Sequence, residues 1–172
     1  MSGKHRFIVL FLIVSAIFGV WWMKRSANGN SAALDDQSAF ALHADDSIDL
    51  EQLKSYGLPI MLDFGADYCP PCRTMAPVLE ELNAALKEKA IIKYVDIEKY
   101  PQLAESYPIR VIPTQVFFDQ HGNPYLPSDP EALGMLLYRR ADSAEHVLTA
   151  HEGALNKEQI LAALREMGLD DD

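Results

Sequence analysis

Cysteine is almost missing from this chain: 172 residues hold two, both in the run Cys69-Pro70-Pro71-Cys72. A framework of structural disulfides is therefore excluded, and with hydrophobic residues at 49% a core can be built without one. Histidine is sparse and scattered. Of His5, His43, His121, His146 and His151, only the last two fall at a ligand-like spacing, and no second Cys pair stands by to complete a tetrahedral zinc site, so no metal is expected. Basic residues are few beyond the N-terminus. The formal net charge of −10 includes the +4 of Lys4, Arg6, Lys24 and Arg25, which leaves −14 on the rest of the chain. A body that acidic is repelled by phosphate backbones, which argues against nucleic acid as a partner.

There is one long apolar run, Phe7 to Met23, preceded by Lys4 and Arg6 and closed by Lys24 and Arg25. It lacks a polar face, so a buried amphipathic helix fits it badly. Its length and flanks, with Trp21 and Trp22 at an interfacial position, fit a membrane anchor over residues 1–25. Ser31-Ala32-Ala33 offers a small-x-small cleavage pattern, so secretion after signal removal is the alternative. Both place the remainder outside the cytoplasm, and no cysteine follows the run for lipid attachment. Residues 26–47, rich in Ala, Ser, Asn and Asp without a period, read as a flexible tether, with the folded domain over 48–172.

Within that domain, apolar and polar periods alternate as in an α/β protein. A short helix is expected over Asp49–Tyr56, a buried strand over Pro59–Phe64, and a helix from Pro70 with Met75, Val78, Leu79, Leu82 and Leu86 on one face. Pro77 interrupts that helix and kinks it near Arg73. A strand over Ile91–Ile97 and a short helix over Pro101–Ser106 complete a βαβ unit with a parallel strand pair. A strand over Gln115–Phe118 and a turn at 119–123 follow, and His146–Ala150 is expected as an edge strand. Residues 124–144 form an insertion too long for a hairpin loop, with a short helix over Glu131–Arg140. Asn156 and Gln159 make a capping box for a last helix carrying Ile160, Leu161, Leu164 and Met167 and ending at Gly168.

The two cysteines fall where the buried strand hands over to the helix. Thiols separated by two residues at a helix start can close a small ring, and the first sulfur meets unpaired N–H groups and the positive end of the helix dipole, which favours its thiolate. Disulfide exchange is the leading reading. Half of a zinc site and a purely structural disulfide are the alternatives; the first lacks ligands, and the second closes too small a loop to constrain the unfolded chain.

From Leu50 to Met167, the insertion set aside, the chain resembles the thioredoxin family. The resemblance rests on Leu62-Asp63-Phe64-Gly65-Ala66-Asp67-Tyr68-Cys69-Pro70-Pro71-Cys72, on Pro77, on Lys93 within Ile91–Asp96, on Ile112-Pro113-Thr114 and on Gly153, which occur in the family's order. It implies a thioredoxin fold: a central mixed β-sheet flanked by helices, here with an insertion before the last strand, and no cofactor. It further implies a redox-active disulfide, Cys69–Cys72, with Cys69 as nucleophile and Cys72 as resolving thiol. Asp63 is implied as buried proton acceptor, Lys93 as its tuning partner, and Pro77 as the helix kink. Ile112 and a cis Pro113, with Tyr68, Pro70 and Pro71, are implied to meet the substrate. The chain departs from the family pattern at Gly65 and Tyr68, where Trp is common, and at Pro70, where Gly is.

The function expected is that of an extracytoplasmic thiol–disulfide oxidoreductase reducing disulfides of exported proteins, held at the membrane by its N-terminal helix and recharged by a membrane electron carrier. A dithiol oxidase or isomerase is the alternative, and a non-catalytic binding module the third. No role is expected for His43, His121 or His151.

Overall fold

The computed structural model describes residues 39–170, and the features expected over residues 1–38 lie outside them. The sheet is built around β1 (Ile60–Gly65), every residue of which is buried. This strand pairs in parallel with β2 (Ile91–Asp96) and antiparallel with β3 (Thr114–Phe118). Beyond β3 come β5 (His146–Glu152) and then β4 (Met135–Arg139), both antiparallel, giving the order β2-β1-β3-β5-β4.

Strand alternation sends Met61, Ile92 and Phe117 to one face, where α2 (Pro70–Ala85) and α3 (Lys157–Glu166) cover them with Met75, Leu79, Leu82, Ile160 and Leu164. Ile60, Leu62, Phe64, Ile91, Val95 and Val116 face the other way. They pack with Leu53 of α1 (Leu50–Ser55) and with the 3₁₀ turn Pro101–Ala104 nearby. Each face is chiefly apolar, which is what a central strand buried on both sides requires. Local signals open the helices, at Asn156 as expected. Asp49 caps α1 by accepting from the Gln52 N–H, and Asn156 and Gln159 form the reciprocal capping box of α3.

Three expectations change. The helix expected over Glu131–Arg140 is instead β4. Gly134 stands at φ +62°, outside helical backbone, immediately before it, and the free side of β5 supplies hydrogen-bond partners that outweigh the helix propensity of Met and Leu. In consequence β5 is not an edge strand but lies between β3 and β4. The stretch expected as tether also reaches less far. Ala39, Phe40 and Ala44 are buried, and Tyr94 exchanges main-chain hydrogen bonds with Leu42 and Ala44 along the outer side of β2.

The insertion is anchored rather than loose. Tyr125 is buried against Phe117, and its hydroxyl donates to Glu166, which also accepts from the backbone and hydroxyl of Ser128.

Candidate active site

The C-terminal end of β1 delivers the chain through Ala66, Asp67 and Tyr68 to Cys69, which caps α2 from an extended backbone (φ −83°, ψ 113°). Pro70 and Pro71 take the first two helical positions, where a fixed φ suits the helix and a missing N–H deletes no intrahelical bond. The N–H of Cys72 is thus the first amide of the helix, and it donates to Cys69 Sγ at 3.3 Å. Cys69 and Cys72 are joined as a disulfide, their Cα atoms 5.3 Å apart. Both are largely shielded, at 5% and 4% exposure.

Opposite the disulfide stands the loop before β3, where the Ile112–Pro113 peptide is cis. It brings the Ile112 carbonyl to 3.6 Å from Cys69 Sγ. The loop is held by Thr114, whose hydroxyl donates to the Val111 carbonyl, and by the Gly153 N–H, which donates to that of Pro113. Around the sulfurs the rim is apolar and open: Tyr68 is 64% exposed and Val111 49%, and Pro70 and Pro71 are exposed as well. Such a rim suits an extended segment of another chain laid along the Ile112 backbone.

Asp63 lies on β1 and is wholly buried. Its Oδ1 accepts from Gln115 Nε2 at 2.7 Å, and its Oδ2 has no partner. Burial raises its pKa from 3.8 to about 7, against the opposing pull of the Gln115 hydrogen bond. The same Gln115 nitrogen lies 3.7 Å from Met75 Sδ, on the turn of α2 that follows Cys72. A carboxyl poised near neutrality can take a proton from a neighbouring thiol and return it.

One of the expected residues takes another place. Lys93 does not meet Asp63. It is paired in register with Leu62 and so points to the opposite face of the sheet, where its amine donates to the Ala41 carbonyl at 2.7 Å. Burial on that side lowers its pKa to about 8. The cross-strand neighbour of Asp63 is Tyr94. Pro77 lies inside α2 as expected and is exposed there, leaving the Arg73 carbonyl without its helical donor.

Tyr94 also accounts for Gly65. A Cβ at that glycine would stand 2.8 Å from Tyr94 Cε2 and 3.3 Å from both the Tyr94 hydroxyl and Cys72 Sγ. The tyrosine ring thus occupies the space over the strand end that a large side chain at position 65 would otherwise fill. Its phenol pKa is raised, first by burial and then by the charges of Asp96, Asp67 and Asp63. His43 packs edge-on against it, ring centroids 5.5 Å apart. A cavity of about 190 Å³ opens between these groups and Cys72, bounded also by Asp67 and Arg73.

Tyr94, Val111, Gln115 and His151 were not expected at the site. Gln115 and Tyr94 carried a readable signal, a polar group inside an otherwise buried strand. Among the described residues no three His, Cys, Asp or Glu side chains gather as a metal site. His146 bonds to Thr149 and the Leu148 carbonyl, and His151 turns to Gln115.

A helix-capping dithiol, closed as a disulfide against a cis-proline loop over a buried carboxyl, defines a thiol–disulfide oxidoreductase. Comparison with known proteins agrees. A thioredoxin family model matches residues 45–129. A thioredoxin-like protein, slr0233, of Synechocystis sp. is 39% identical over 70 residues, covering 41% of this chain and 67% of the relative. The thioredoxin of Rickettsia bellii is 39% identical over 74 residues (43% and 70%), and that of Rhodospirillum rubrum 41% over 75 residues (44% and 71%). The chain belongs to the thioredoxin family. The matched residues stop before β4, so this strand and the rest of the sheet beyond β3 lie outside the family model's match.

Proposed function

We propose that this protein reduces disulfides in exported proteins, working outside the cytoplasm from a membrane anchor at residues 1–25. Cys69, as thiolate, attacks one sulfur of a substrate disulfide; a mixed disulfide forms and one substrate thiolate leaves. Asp63 takes the proton of Cys72, whose thiolate then displaces the second substrate thiol and closes Cys69–Cys72. The dithiol gives up two electrons and the substrate gains them. A membrane-borne dithiol carrier returns the electrons from the inner side, because soluble nicotinamide-linked reduction belongs to the cytosol.

The observation that carries the direction is the Pro70-Pro71 pair. It removes the two amides that would precede the Cys72 N–H at the start of α2, leaving that one as the hydrogen-bond donor to Cys69 Sγ. A thiolate with fewer amide donors is less stabilised, and a less stabilised thiolate makes the dithiol the stronger reductant. The apolar run Phe7–Met23 and its basic flanks support the anchored location.

Trapping tests this. Cys72→Ala in the native membrane should accumulate mixed disulfides between Cys69 and exported proteins, and the Cys69–Cys72 couple should have a strongly reducing potential. A strongly oxidising potential would establish the oxidase alternative instead. Labelling of Cys69 by a membrane-impermeant thiol reagent in intact cells should succeed; protection until lysis would overturn the location.

A further inference from the structure

Three polar side chains cross the sheet in one row, on the face that α2 covers. Asp63 pairs in register with Gln115, and Gln115 with His151. Asp63 and Gln115 are fully buried, and His151 is half-buried. Gln115 Nε2 donates to Asp63 Oδ1, while Gln115 Oε1 lies 2.9 Å from His151 Nδ1. An ionised carboxylate only accepts, so the amide must turn its NH₂ toward Asp63 and its carbonyl toward His151. His151 Nδ1 must then carry a hydrogen. The donor sense therefore runs one way, from imidazole to amide to carboxylate. Packing alone does not call for this row, since apolar side chains would fill the same layer without desolvating three polar groups.

We propose that Gln115 and His151 are positioning residues of the dithiol exchange: the amide occupies Oδ1 of Asp63, so that the proton from Cys72 arrives at the unpartnered Oδ2, and His151 holds the amide in that orientation. The proposal rests on the proposed function, in which Asp63 accepts that proton. Without the imidazole donor the amide is free to rotate, present its carbonyl to Asp63 and favour the protonated carboxyl at the wrong oxygen.

The groups around the row are few. Tyr94 faces Asp63 from β2, Met75 Sδ of α2 lies 3.7 Å from Gln115 Nε2, and Cys72 Sγ would stand 3.3 Å from a Cβ at Gly65, two residues along β1 from Asp63. Glu152, engaged by Arg110 at 2.8 Å, and the Gly153 backbone act on His151 along β5. Across from His151 stands Met135 of β4, with Gly134 against the imidazole edge. Burial lowers the His151 pKa, which favours the neutral imidazole, and its Nδ1–H is set by the amide rather than by charge.

The test is a carbon-13 carboxyl NMR titration of the full reduced chain, with the Asp63 signal identified by its loss in Asp63→Asn. It is paired with the pH profile for release of a thionitrobenzoate mixed disulfide from Cys69 by Cys72. Gln115→Leu should raise the Asp63 midpoint by roughly one pH unit, the scale of a lost hydrogen bond to a charged group, and His151→Phe should raise it by less. The release profile should follow both shifts. In an Asp63→Asn background, Gln115→Leu should leave the release rate unchanged. Midpoints within about 0.2 pH units of the parent in folded Gln115→Leu and His151→Phe chains would overturn the proposal. Should Gln115→Leu not fold, His151→Phe alone decides. Shifted midpoints with no mixed disulfide trapped by Cys72→Ala would instead overturn the proposed function.

Discussion

Replacing Asp63 by Asn should make the protein more stable, and by an amount that depends steeply on pH. In the unfolded chain an aspartate loses its proton near pH 3.9, whereas in the folded protein burial holds it until about pH 7. Between those values the folded state binds a proton that the unfolded state has lost, so stability falls as pH rises. Above the folded value both states are ionised and the full penalty is in force. About three pH units at 1.36 kcal/mol each give on the order of 4 kcal/mol at pH 8, against less than about 1 kcal/mol at pH 4. Asn keeps an oxygen to accept from Gln115 and carries no charge. Urea denaturation of the oxidised parent and of Asp63→Asn at both pH values measures the difference. A gain of several kcal/mol at pH 8 that nearly vanishes at pH 4 is expected. Equal gains at the two pH values, or less than about 1 kcal/mol at pH 8, would refute the assignment of a buried, near-neutral carboxyl.

Gly65→Ala should destabilise the fold by roughly 1–3 kcal/mol in the same assay, since its Cβ would meet Tyr94 Cε2 at 2.8 Å, and combining it with Tyr94→Leu should recover most of the loss. Asn156→Ala removes half of the capping box of α3 and should lower stability by about 1 kcal/mol by denaturant titration. Glu166→Ala takes away the acceptor of the Tyr125 hydroxyl and of the Ser128 N–H and hydroxyl. Hydrogen exchange should then quicken at Ser128 while β1 stays protected. The Glu166 pKa is lowered, first by the Ser128 N–H, so the clamp should hold above the ordinary glutamate range and release as pH falls through the depressed value.

What could be read from the residues divides along a physical line. Local chemistry was legible: the cap at Asn156, the helix opened by two prolines, and the buried run of β1 each depend on neighbours within a few positions. The pairing of distant strands was not. Lys93 and Tyr94 are adjacent in the sequence, and which of them shares the Asp63 face is decided by register; a shift of one position reverses every side chain. Gln115 lies in a strand that was recognised, yet its partner across the sheet is 52 positions away. His151 reads as a surface residue as long as β5 is placed at the rim of the sheet. The run Met135–Arg139 has no clear period, and only the free side of β5 makes it a strand.

Strand β4 makes residues 124–144 part of the architecture and not an appendage. Were they excised to resemble a shorter relative, the main chain of β5 would be left bare along its outer side, inviting a second molecule to dock there. The imidazole of His151 would lose the wall provided by Gly134 and Met135. A trimmed variant would then trade a shorter loop for a sticky flank and a wetter proton acceptor.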